Sequence, residues 1–125
     1  MSKRVLITGA GGFVGGFIVE ESLKRGFETW AAVRRSTSRE FLQDDRINFI
    51  ELDFNNPESL AQTLNEALPQ GEKWDYIIYN LGATKCTNFA DFNRINYDYL
   101  RSFTDALFET EKVPDKFLYM SSLSA

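Results

Sequence analysis

The chain has 125 residues, a formal net charge of -4, a single cysteine (Cys86) and no histidine. The acidic balance speaks against a nucleic-acid surface. Without histidine there is no Ser-His-Asp triad and no Cys/His metal site, and a lone cysteine allows no internal disulfide and suits the cytoplasm. At this length one domain is expected, burying about two-thirds of its unfolded surface. The apolar N-terminal run is too short for a signal peptide or a membrane span.

Lys3 to Thr8 reads as the first strand, its apolar run Val5-Leu6-Ile7 leading into Thr-Gly-Ala-Gly-Gly-Phe-Val-Gly (Thr8 to Gly15). Gly9, Gly12 and Gly15 recur at spacing three, between a strand and an apolar, helix-compatible segment. Gly9 permits a tight turn, Gly12 lets backbone approach a phosphate, and Gly15 lets a helix pack close to the sheet. The helix start then offers unpaired N–H groups and a positive dipole end to an anion. A glycine-rich turn without a ligand is the alternative. The first helix is predicted over Phe13 to Arg25, with Val14, Phe17, Ile18 and Leu23 on its apolar side and Gly26 as its stop.

Glu28 to Arg34 reads as the second strand. Ser36 to Asp45 is polar and suits a loop with a short helix, and Ile47 to Leu52 suits a third strand. Asn56-Pro57 opens a helix to about Leu68, with proline at a first-turn position. Asp75 to Asn80 is a fourth strand, Phe89 to Glu111 a long helix, and Lys116 to Met120 a fifth strand. Strands alternating with helices imply an α/β fold: a Rossmann-type, doubly wound parallel sheet in order 3-2-1-4-5, with helices on both faces. The order reverses between strands 1 and 4, where ligands bind in such sheets.

Phe89, Phe92, Asn96, Tyr99, Phe103 and Leu107 form one stripe of the long helix, and Leu100, Thr104 and Phe108 widen it. This suits either a well-buried helix or one that meets a partner. An exposed fifth-strand edge beside such a helix invites self-association, with Phe92, Phe103 and Phe108 at the contact.

An acid about 20 residues beyond the last glycine would hold the ribose 2′-OH of NAD. That count reaches Val33-Arg34-Arg35-Ser36, where two arginines and a serine suit a 2′-phosphate instead. NADP is therefore expected over NAD; solvated strand-end charges are the alternative for Arg34 and Arg35.

With Thr8 before the glycines and Phe13 among them, the turn resembles the extended epimerase/dehydratase branch of the short-chain dehydrogenase/reductase superfamily, whose pattern is T-G-x-x-G-F-x-G. The resemblance implies that Gly11, Phe13 and Val14 join the phosphate cradle. It implies that Asp53 accepts from the adenine amino group and that the next backbone N–H, at Phe54, completes the contact; a turn aspartate is the plain reading. Leu81-Gly82-Ala83 matches the family's turn of small residues beside the cofactor. Lys85 suits an exposed loop lysine, with a reach toward phosphate or substrate as the alternative. Lys116 to Ser122 resembles the family's fifth strand, which puts the catalytic hydroxyl on Ser122. Asn96 matches an asparagine that holds a helix irregularity and a water in the proton path, although a locally satisfied helix residue is equally in keeping. The family's dimer is often built by the helix matching 89–111, which implies a homo-oligomer.

The family's acid/base is a Tyr-x-x-x-Lys pair, the lysine depressing a tyrosine pKa that is ordinarily about 10. Tyr76, Tyr79, Tyr97, Tyr99 and Tyr119 are followed four residues on by Asn80, Ala83, Arg101, Phe103 and Leu123. The resemblance thus covers the chain but only the first part of the family's pattern. It implies one domain, 1–125, cut ahead of the Tyr-x-x-x-Lys segment and a C-terminal substrate domain. The parent enzyme would transfer hydride on a nucleotide sugar or similar carbinol, and this segment would be inactive. A non-catalytic NADP-binding regulatory or redox-sensing module, and a purely structural α/β domain, are the alternatives.

Overall fold

The computed structural model describes residues 3–10, 13–33, 42–54, 56–80 and 97–119. In chain order it contains β1 (Arg4–Ile7), α1 (Phe13–Lys24), β2 (Glu28–Val33), β3 (Asn48–Glu51), α2 (Pro57–Ala67), β4 (Tyr76–Tyr79), α3 (Tyr99–Glu109) and β5 (Lys116–Tyr119). All neighbouring strands are parallel, and the order is β3-β2-β1-β4-β5, the Rossmann order expected from the alternation of strands and helices.

Alternate strand residues enter opposite layers. Leu6, Ala32, Ile50, Ile77 and Tyr79 pack with Leu60 and Leu64 of α2 and Phe103, Ala106 and Leu107 of α3. Val5, Ile7, Ala31 and Val33 pack with Val19 and Leu23 of α1. Among the described residues, α1 covers one face and α2 and α3 the other, which leaves β1 at the centre with both faces buried.

Local chemistry sets the helix ends. The Asn56 side chain accepts from the Ser59 N–H at 3.3 Å, and Pro57 occupies the first turn, where its missing N–H costs nothing. After α1, the N–H of Gly26 donates to the Leu23 carbonyl and that of Phe27 to the Ser22 carbonyl, with Gly26 at φ +81°. The same paired bonds close α3, from Glu111 to Phe108 and from Lys112 to Leu107, but there the left-handed residue is Glu111 at φ 56°. Lys112 is enclosed directly after it, its ammonium donating to the carbonyls of Pro69 (3.1 Å) and Glu72 (3.0 Å). Burial lowers its pKa, an effect only partly opposed by the negative charge of Glu72. Lys112 thus ties the α3–β5 turn to the α2–β4 turn.

Two expectations are corrected. Val14 and Phe17 do not face the sheet: they are 52% and 58% exposed, and the buried face of α1 is Gly15, Gly16, Val19, Ser22 and Leu23. Close approach at Gly15 and a buried hydroxyl pair, Ser22 with Thr29 at 2.7 Å, set the rotation of the helix. Phe103 is not a surface residue either: it is fully buried, whereas Phe108, at 69% exposed, stands outward. Within the predicted helix 89–111, α3 begins at Tyr99; Phe89, Phe92 and Asn96 lie outside the described residues, as does most of the 36–45 loop.

Candidate cofactor site

The sheet reverses its order between β1 and β4, and in such sheets ligands bind outside the carboxyl ends of the strands at that point. Thr8 stands there, directly after β1. Its N–H donates to the Ile78 carbonyl at 3.0 Å, continuing the ladder by one residue, and its hydroxyl accepts the Asn80 N–H at 3.0 Å. Thr8 is fully buried. Sequence reasoning placed Thr8 among the cofactor contacts; the geometry makes its side chain a latch that fixes where β4 leaves the sheet. Replacing Thr8 by valine keeps the shape and strands the Asn80 N–H, which is expected to cost about 1–2 kcal/mol in urea unfolding, whereas Thr8→Ser costs less than half of that. Equal stability of Thr8→Val and the parent protein would show that the latch carries no weight.

Gly9 follows at φ 65°, a left-handed conformation that glycine adopts without strain. The chain then returns as α1, whose start packs on this turn. A Cβ at Gly15 would stand 2.1 Å from the Gly9 carbonyl oxygen and 2.8 Å from the Ala10 Cα. The spacing of six residues between Gly9 and Gly15 is therefore a contact between backbones. The first turn of α1 carries no acidic residue, and Lys24 sits in its last turn, so the side chains do not oppose the helix dipole at either end. Phe13 opens the helix, and Val14 points outward beside it.

The β2 and β3 ends supply the neighbouring wall. The Leu52 N–H donates to the Val33 carbonyl at 3.0 Å, and the Asn56 N–H closes a turn on the Asp53 carbonyl at 3.1 Å. Asp53 is exposed on this turn and Phe54 buried under it. The Phe54 ring meets Tyr79 and Phe103 edge-on and stacks on Tyr99. The structure thus places Thr8, Gly9, Val14, Gly15, Asp53 and Phe54 at the carboxyl ends of the strands. Gly11, Gly12, Arg34, Arg35, Ser36, Leu81, Gly82, Ala83, Asn96 and Ser122 lie outside the described residues. Sequence reasoning put Tyr99 and Phe103 on one helical stripe but did not join them with Tyr79 and Phe54 in a single aromatic bed.

These residues fit a dinucleotide: a left-handed glycine after β1, a helix start seated on it without an acid in its first turn, and a carboxylate after β3, two strands away. Among the described residues no group of three or more acidic, cysteine or histidine side chains could hold a metal ion, and no helix is long and apolar enough to cross a membrane.

Known proteins resemble this chain in sequence and in fold. A ceramide reductase from Caulobacter vibrioides is 29% identical over 121 residues, which are 97% of this chain and 35% of the reductase; the chain thus spans about a third of that relative. The Bordetella bronchiseptica enzyme WbmG, solved in complex with NAD, superposes with a TM-score of 0.74 at 20% identity, covering 95% of this chain and 37% of WbmG. A variant of ElxO with NADPH bound superposes with a TM-score of 0.77 at 23% identity, covering 98% of this chain and 56% of ElxO. The pattern of the NAD dependent epimerase/dehydratase family matches residues 5–125, and the chain belongs to that family.

Proposed function

We propose that this chain is the NADP-binding unit of an NAD(P)-dependent epimerase, dehydratase or reductase. The observation that carries the reading is the seat of Gly15 on the Gly9 carbonyl at the point where the sheet reverses, within a chain of this family. The backbone of Gly9, Gly11, Gly12, Phe13 and Val14 cradles the pyrophosphate at the start of α1. Arg34, Arg35 and Ser36 follow β2 directly and hold the 2′-phosphate with forked, charge-assisted donors. Asp53 accepts from the adenine amino group, and Leu81, Gly82 and Ala83 pass close to the cofactor.

The bound nicotinamide supplies or accepts hydride. Ser122 hydrogen-bonds the substrate oxygen on the carbon that gains or loses it. Asn96 steadies the proton path; the π-type turn at Tyr97 and Asp98, a feature frequent at functional sites, supports that role. The substrate class is a nucleotide sugar or a similar carbinol. The same proposal includes self-association through α3, whose outer face carries Phe108 and whose start follows the exposed Tyr97; light scattering is expected to give a dimer mass, and a monomer at high concentration counts against it.

Titration with NADPH and NADH, followed by tryptophan fluorescence, tests the cofactor. NADPH is expected to bind about tenfold tighter, equivalent to about 1.4 kcal/mol, and an Arg34→Ala, Arg35→Ala double variant should bind the two alike. Equal affinities in the parent protein would sink NADP preference, and no binding of either at millimolar concentration would sink the reading itself. No hydride transfer by these 125 residues alone is expected, because none of their tyrosines is followed four residues on by lysine.

A further inference from the structure

Asp53 is exposed while its neighbour Phe54 is one of the best-anchored rings in the fold. Phe54 is 6% exposed. It stacks on Tyr99 at 5.7 Å and 24° between planes, and meets Phe103 edge-on at 5.7 Å and Tyr79 at 6.4 Å. The backbone is fastened on both sides of the pair, by Leu52 to the end of β2 and by Asn56 to the Asp53 carbonyl. One polar residue therefore stands on a ring wedged between β4 and the first residue of α3. Edge-on and offset aromatic pairs add orientation-dependent energy beyond area burial, so the ring resists rotation as well as withdrawal. A short strand-end turn held by its backbone alone retains freedom in where its side chain points; a turn with a keyed ring does not.

We propose that Phe54 is a positioning residue for adenine recognition: its ring, wedged among Tyr79, Tyr99 and Phe103, sets where the Asp53 carboxylate and the adjoining backbone N–H stand. This rests on the reading of Asp53 as the acceptor of the adenine amino group. The consequence is discrimination of the base. Adenine offers Asp53 a donor, whereas hypoxanthine carries an oxygen at the same position and meets the carboxylate with repulsion. A rigidly placed carboxylate enforces that difference, and a loosely placed one turns aside from it.

The test compares NADPH with its hypoxanthine analogue, by dissociation constants for the full chain and its Asp53→Ala, Phe54→Leu and Tyr99→Leu variants, alongside thermal melts. Leucine keeps an apolar side chain at either position but removes the stack. The parent chain is expected to prefer NADPH about tenfold, the scale of one good hydrogen bond, and Asp53→Ala to reduce this to about twofold or less. Phe54→Leu and Tyr99→Leu are expected to lose most of the preference with Asp53 still present. A ring that merely fills the core would lower the melting temperature and leave the preference intact; that outcome in both leucine variants overturns the inference while sparing the Asp53 reading. No preference in the parent chain overturns both. If Phe54→Leu does not fold, Tyr99→Leu decides, because Tyr99 is only half-buried at the start of its helix.

Discussion

Replacing Phe103 by alanine is expected to destabilise the fold by about 3–5 kcal/mol, the range for truncating a buried aromatic side chain. The ring is fully buried. It stacks on Tyr79 at 6.0 Å and 28°, receives the edge of Phe54 at 5.7 Å and 78°, and lies tilted against Phe117 at 6.4 Å. These neighbours belong to β4, the turn after β3, and β5, so the cavity left by alanine opens between three separate elements and cannot be closed by moving one of them. Against a total stability of about 5–15 kcal/mol for a small domain, a loss of this size leaves a substantial unfolded fraction. Phe103→Leu retains much of the volume and is expected to cost about 1–2 kcal/mol. Phe108, five residues on and facing away from the core, is the control: at 69% exposed its alanine variant should stay within about 0.5 kcal/mol. Urea unfolding of the three variants measures this. A Phe103→Ala protein within about 1 kcal/mol of the parent would mean that α3 is not seated as described.

The contrast between Phe103 and Phe108 shows what periodicity can and cannot say. Spacing of three and four marks an apolar face of a helix; it does not say what that face touches. The stripe through Phe103 and Leu107 suited a core and a partner surface alike, and the distinction lies in Tyr79 and Phe117, which are remote in sequence. The first helix failed differently. Val14 and Phe17 are apolar and correctly spaced, yet the rotation of α1 is governed by its smallest residues: Gly15 must meet the Gly9 carbonyl, and Ser22 must meet the Thr29 hydroxyl. A reading weighted by apolar size looks past both. The strand order, by contrast, was legible because strand and helix signals alternate along the chain, and right-handed crossovers leave few ways to place parallel strands so connected. At the site, the glycine spacing was legible because it encodes a contact within one βα turn. The latch formed by Thr8 and the anchoring of Phe54 were not, because their partners, Asn80 and Tyr99, arrive from other strands and helices.

Gly15→Ala carries the other large effect, and its two consequences should separate. In an ordinary helix the change from glycine to alanine is favourable by about 1 kcal/mol. Here the added Cβ would stand 2.1 Å from the Gly9 oxygen, 2.8 Å from the Gly9 carbonyl carbon and 2.8 Å from the Ala10 Cα. All three are backbone atoms of a turn whose preceding residue, Thr8, is pinned to Ile78 and Asn80, so the turn cannot give way. The helix start must move outward instead, and the buried contacts of Val19 and Leu23 with the sheet resist it. A net loss of about 2–3 kcal/mol is expected, within the range for overpacking a closely packed site. The displaced first turn also carries its N–H groups away from the place where a pyrophosphate would lie. Charge-assisted hydrogen bonds are worth about 1.5–3 kcal/mol each, so losing two weakens NADPH by about a hundredfold or more. Calorimetric titration at a temperature where the variant remains folded separates the two effects, because there the affinity no longer reflects stability. Saturating NADPH should raise the melting temperature of the parent chain by mass action and leave that of Gly15→Ala unmoved. A variant that is destabilised yet binds NADPH normally would show that the close approach serves the packing of α1 alone; one that is stable and binds normally would remove the physical basis for reading this turn as a pyrophosphate cradle.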